Sequence, residues 1–64
     1  LSTLEITTDQ SIKLLDESKF IKSKTSSENV ITYFLASDNF EKLQQLVNHL
    51  EKENIIFQYQ LNSG

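Results

Sequence analysis

A 64-residue chain without a single cysteine has no disulfide and no thiolate–metal centre to hold it together. Its stability must come from packing alone, and a domain this small buries only about 60% of the surface its unfolded chain exposes. That allows one core and one domain, spanning 1–64. Apolar residues make up 38% of the chain, more than a disordered tail carries and far less than a membrane protein needs. The longest apolar run, Tyr33 to Ala36, falls well short of the roughly 20 residues of a membrane-spanning helix. No basic segment followed by an apolar stretch marks a signal peptide. The chain opens on Leu1 and contains no Met, so the expectation is a domain excised from a larger protein, in a cytoplasmic setting. Asn62-Ser63-Gly64 then reads as a linker.

Proline is absent and the only glycine is Gly64, so turns must be read from Ser, Asn and Asp clusters. Leu4-Glu5-Ile6-Thr7 alternates apolar with polar and predicts a strand over 3–7. Thr8-Asp9 is placed to cap a helix over 10–18, with Ile12 and Leu15 inward and Lys13, Asp16 and Glu17 outward. A second strand over 20–25 carries Lys22 and Lys24 on one side, a charge pattern suited to a sheet edge. Ser26-Ser27-Glu28-Asn29 is the turn into a third strand over 30–36. There Val30, Phe34 and Ala36 fall on one face and Ile31, Tyr33 and Leu35 on the other, as in a central strand.

The clearest helix spans 39–53. Phe40, Leu43, Leu46, Val47 and Leu50 form one apolar stripe, Asp38 and Glu41 resemble a capping box, and Asn54 is a left-handed stop. Ile55 to Leu61 alternates again and closes the chain as a strand. Strand, helix, strand, strand, helix, strand with right-handed crossovers gives an α+β ferredoxin-like βαββαβ plait. Its four-stranded antiparallel sheet has the order 4-1-3-2, with two helices on one face. The alternative is a first helix reduced to a turn. The expected core is Leu4, Ile6, Ile12, Leu15, Phe34 or Tyr33, Phe40, Leu43, Leu46, Val47, Leu50 and Phe57.

Little of the residue inventory points to catalysis. His49 is the lone histidine, and Glu53 at i+4 makes at best a two-ligand pair, so it reads as a solvated surface residue. Asp16-Glu17 and Glu51-Glu53 lie on helix surfaces, away from any apolar pocket that would shift their pKa values. One glycine rules out a Gly-rich phosphate loop. A formal charge of −3 with six lysines and no arginine argues against nucleic acid as a ligand. The first strand also lacks the base-stacking aromatic of RNA-binding sheets. The domain is therefore read as non-enzymatic, with no catalytic, metal or cofactor site.

The opening Leu4-Glu5-Ile6-Thr7, the run Asn39 to Leu50 and the strand Ile55-Ile56-Phe57-Gln58-Tyr59 together resemble one known family. It is the C-terminal accessory domain of ATP-binding subunits in ABC exporters of the multidrug and bacteriocin-immunity kind. The resemblance is one of pattern over nearly the whole chain. That family usually continues into a short acidic-apolar helix, and none of its ATPase motifs occurs here, so no catalytic residue carries over. The resemblance implies a regulatory appendage acting on the rest of its parent chain or on a partner protein, touching a membrane only through a transporter.

A second reading is a small-ligand sensor of the amino-acid-binding plait type, with Thr8-Asp9-Gln10-Ser11 as its loop. On the first reading the contact surface is the open sheet face. It is expected to carry Thr3, Glu5 and Thr7 with Gln58 and Gln60, and an apolar row from the third strand between them. Tyr33, Phe34, Gln58 and Gln60 are the candidate contact residues, Tyr33 or Phe34 serving according to which points outward, and a second copy of the chain is one partner such a face can take.

Overall fold

Leu4 and Ile6 are fully buried while Glu5 between them is exposed, the period of two that an extended chain imposes on a half-covered sheet. The computed structural model describes residues 1–64. Its elements are β1 (Ser2–Thr8), α1 (Lys13–Asp16), β2 (Ile21–Ser27), β3 (Val30–Ser37), α2 (Phe40–Lys52) and β4 (Gln58–Asn62). They form a small α+β domain whose four strands make one antiparallel sheet in the order β2-β3-β1-β4. Counted from the opposite edge this is the expected succession 4-1-3-2.

The register aligns the core. Leu4 stands opposite Leu35 and Ile6 opposite Tyr33, with Leu61 and Tyr59 on their other side. Opposed residues of an antiparallel pair share a face. Leu4, Ile6, Tyr33 and Leu35 therefore look the same way, and they form one buried cluster with Ile12, Leu15, Leu43, Val47 and Leu50. Both helical segments thus contribute to the same side of the sheet. The apolar face of β3 that is buried carries Tyr33 and Leu35, whereas Phe34 points to the open side. Phe40, expected in the core, is more than a third exposed at the first position of α2, and Leu46 and Phe57 are half-buried at the rim.

Several boundaries differ from expectation for identifiable reasons. The first helix is one turn, Lys13–Asp16, instead of 10–18. Thr8 does not cap it: Thr8 belongs to β1, and its hydroxyl donates to the Ile56 carbonyl at 3.1 Å. The N-cap residue is Ile12, whose backbone N–H donates to the Tyr33 hydroxyl at 2.9 Å. A sheet side chain therefore does what a local cap would have done. In α2 the cap is Asn39 and not Asp38, the Asn39 Oδ1 accepting from the Glu41 N–H at 3.0 Å.

The end of α2 follows a Schellman arrangement. Asn54 has φ 60°, its N–H donates to Glu51 at 3.1 Å, and the Ile55 N–H donates to Leu50 at 3.2 Å. This uses the Ile55 N–H, and β1 offers its first partner only at Thr7 opposite Gln58. The last strand consequently starts at Gln58 and not at Ile55. In β2 a bulge between Ile21 and Ser23 puts Ile21 opposite Leu35 and Ser23 opposite Phe34, on opposite faces. The strict alternation that would set Ile21 and Ser23 on the side away from Lys22 and Lys24 is broken there.

Glu28 and Asn29 alone connect β2 to β3, with φ of 48° and 69°. Two positive values make a type I′ turn, the geometry whose twist fits an antiparallel hairpin. A glutamate there bears a left-handed backbone cost of roughly 1–2 kcal/mol that glycine does not. Glu28→Asn together with Asn29→Gly is expected to stabilise the domain by about 1 kcal/mol in urea titration. An unchanged or lower midpoint would refute the turn assignment.

Candidate functional site

Three places in the fold gather side chains able to recognise something. The first is built around Tyr33. Its ring is fully buried, and its hydroxyl accepts from Ile12 N–H and donates to Asp16 Oδ1 at 2.8 Å. The same Asp16 oxygen accepts from Lys24 Nζ at 2.9 Å, and Lys24 Nζ also donates to Ser11 Oγ at 3.0 Å. The ammonium lies 5.3 Å from the centre of the Tyr33 ring. The Lys24 and Tyr33 hydrogen bonds hold the Asp16 carboxyl below the usual carboxylate range, and the bond to Asp16 raises Lys24. Tyr33 is thus a structural residue and leaves the set of candidate contact residues. Both hydrogen bonds of its hydroxyl tie α1 to the sheet.

The second place is the open sheet face. Phe34, Gln58 and Gln60 all lie on it, as their partners Glu5, Thr7 and Ser23 require. The expected polar–apolar–polar layering is displaced, because β1 lies between β4 and β3 and the apolar row stands beyond it. That row is Val30, Thr32, Phe34 and Ala36, with Val30 and Phe34 exposed. Around it the face carries hydroxyls and amides, and Glu5 is the carboxylate nearest Phe34, directly opposite it. A shallow depression of about 190 Å³ lies between Glu5, Thr7, Gln58, Tyr59 and Gln60.

The third place was not legible beforehand. A cleft of about 560 Å³ opens where the β1–α1 loop meets the end of α2 and the segment before β4. Asp9, Lys13, His49 and Glu53 supply its charged or titratable groups, while Leu14 and Ile56 supply exposed apolar surface. His49 and Glu53 were recognisable as one helix face, and Thr8-Asp9-Gln10-Ser11 as a polar loop. Their meeting depends on the Thr8–Ile56 bond and on α1 being one turn, neither of which has a local signal.

No family model matches this chain, and searches of the curated proteins and of the solved structures gave no match. No helix is long and apolar enough to cross a membrane.

Tyr33→Phe removes the acceptor of a buried N–H and is expected to cost about 1–3 kcal/mol in denaturant titration. The Asp16–Lys24 pair sets two pH limits. Asp16 is depressed in the folded state, so its contribution is present above the ordinary carboxylate pKa of about 4 and lost as pH falls through the folded value. Lys24 is raised, so its contribution is present below about 10.4 and lost as pH rises through the folded value. Asp16→Asn is expected to flatten the acid limb of the stability–pH curve, measured by thermal melts. An acid limb identical to the parent's would remove this role.

Proposed function

We propose that the domain is a ferredoxin-like plait, its first helix cut to one turn, that serves as a non-catalytic accessory module of an ABC-exporter ATP-binding subunit. It acts through contacts with the rest of its parent chain or with a partner protein. The observation that carries this reading is the composition of the open face. Phe34 and Val30 stay exposed on β3 amid neutral hydroxyl and amide groups, with Glu5 set against Phe34. A surface of that kind desolvates cheaply, because its hydroxyls and amides find new partners across an interface while the apolar centre is covered. The pattern resemblance in Leu4 to Thr7, Asn39 to Leu50 and Ile55 to Tyr59 is what supports an ABC-exporter subunit as the parent.

In the full-length protein, Phe34→Glu is expected to weaken the contact of this domain by about tenfold, the scale of a central interface aromatic. Circular dichroism should stay unchanged, since the side chain points away from the core. Unaltered affinity in that variant would overturn the assignment of the face. Genomic sequence upstream that lacks nucleotide-binding motifs would overturn the assignment of the parent.

One observation favours a second reading, a sensor of small ligands. The cleft between the Thr8–Ser11 loop and the His49–Glu53 face is large enough for an amino acid and combines charge with apolar wall. A thermal-shift screen against amino acids and nucleotides tests it. A ligand at a hundred times its dissociation constant should stabilise the fold by about 2.7 kcal/mol. His49→Ala should abolish the shift, and a screen without shifts would end this reading.

A further inference from the structure

The two edges of the sheet are built differently. The β2 edge carries Lys22 and Lys24 and is broken by the bulge between Ile21 and Ser23, all of which oppose pairing with another strand. The β4 edge has none of these. Gln58-Tyr59-Gln60-Leu61-Asn62 pairs with β1 in unbroken register, and the stretch from Ile55 to Gly64 contains no charged side chain and no proline. Its outer backbone groups have no partner within the sheet, because β4 is the terminal strand.

The strand is also complementary to itself. Antiparallel pairing of two copies about Gln60 sets Gln60 opposite Gln60, Tyr59 opposite Leu61 and Gln58 opposite Asn62. Amides then meet amides on the open face, and an aromatic meets an aliphatic on the helix face. Tyr59, stacked on Phe57 at 5.8 Å, is exposed there, and Leu61 is half-covered. A twofold axis normal to the sheet keeps both faces continuous, so the core side of one copy extends that of the other. A shift by one residue would put Tyr59 against an amide and reverse the faces, which disfavours it. Glu5 pairs with Gln60 across β1 and β4. In the joined sheet the two Glu5 residues are three strand spacings apart, about 14 Å, beyond a Debye length of about 8 Å.

We propose that the β4 edge is a homodimer interface, joining two copies antiparallel about Gln60 into an eight-stranded sheet. This contact uses the strand edge and leaves the Phe34 face free, so it stands or falls separately from the function proposed above.

The lack of native cysteine permits a register-specific test. Opposed Cα atoms at the twofold lie about 4.5–5.5 Å apart, within disulfide reach. Gln60→Cys should therefore form a covalent dimer on mild oxidation at least tenfold faster than Gln58→Cys, whose two positions lie about 13 Å apart along the strands. Gln60→Lys should raise the dimer dissociation constant at least tenfold in sedimentation equilibrium, since two ammonium groups would meet at the axis. It should leave the fold intact, because each monomer gains an opposite charge beside Glu5. Phe34→Glu should leave this association unchanged. A strict monomer at millimolar concentration, or equal cross-linking rates at positions 58 and 60, would overturn the proposal.

Discussion

The hydroxyl of Tyr33 is the point on which the small fold closes. A buried tyrosine without partners for its O–H would destabilise a domain with so little core to spare. Here the hydroxyl accepts from Ile12 N–H and donates to Asp16, so one side chain satisfies the start of α1 and holds its end. A single helical turn has no cooperative stability of its own. It exists because Ile12 and Leu15 are buried against the sheet and because the Tyr33 hydroxyl replaces the missing cap. Lys24 then closes the group from the edge strand, bonding Asp16 and Ser11 together. That pair is about one-third exposed, so its worth lies in orientation more than in Coulomb energy.

Shortening the first helix has a consequence elsewhere. The chain from Asp9 to Ile12 is left as a loop and faces His49 and Glu53 across a cleft. A longer helix beginning at position 10 would have filled part of that space. The covered side of the sheet thus carries at one end a recess of charged groups and apolar wall. The uncovered side sets hydroxyls and amides around the exposed Phe34, with the Glu5 carboxylate opposite it. The two β edges complete the division: one is charged and bulged, the other flat and uncharged. Of the two edges, only β2 carries the lysines and the bulge that oppose pairing with another strand.

Much of this architecture was legible in the residues. The period of two in Leu4 to Thr7, the stripe from Leu43 to Leu50 and the positive-φ stop at Asn54 all correspond to what formed. So does the strand order, which follows from element order and crossover handedness. What could not be read was the choice of face on β3. Val30, Phe34 and Ala36 compete with Ile31, Tyr33 and Leu35 on nearly equal hydrophobicity, and alternation alone is blind to which side the helices cover. The candidate contact residues inherited that ambiguity: Phe34, Gln58 and Gln60 share the open face, and Tyr33 does not. The caps were misplaced for a separate reason: Thr8 and Asp38 have capping chemistry, but the N-cap positions fall four residues on at Ile12 and one residue on at Asn39.

The amino-acid sequence by itself determined the strands, the long helix, the hairpin and the order in which they join. The elements rest on local periodicity or on a nearest-neighbour turn, and their order in the sheet on element order and crossover handedness. Tertiary structure decided what requires groups far apart in the chain to meet. Tyr33 satisfies Ile12 across 21 residues, and Thr8 binds Ile56 across 48. Those bonds accompany the buried face of β3, the one-turn α1 and the cleft, none of which has a local signal. Local propensity has no term for a donor that finds its acceptor only after the sheet has formed.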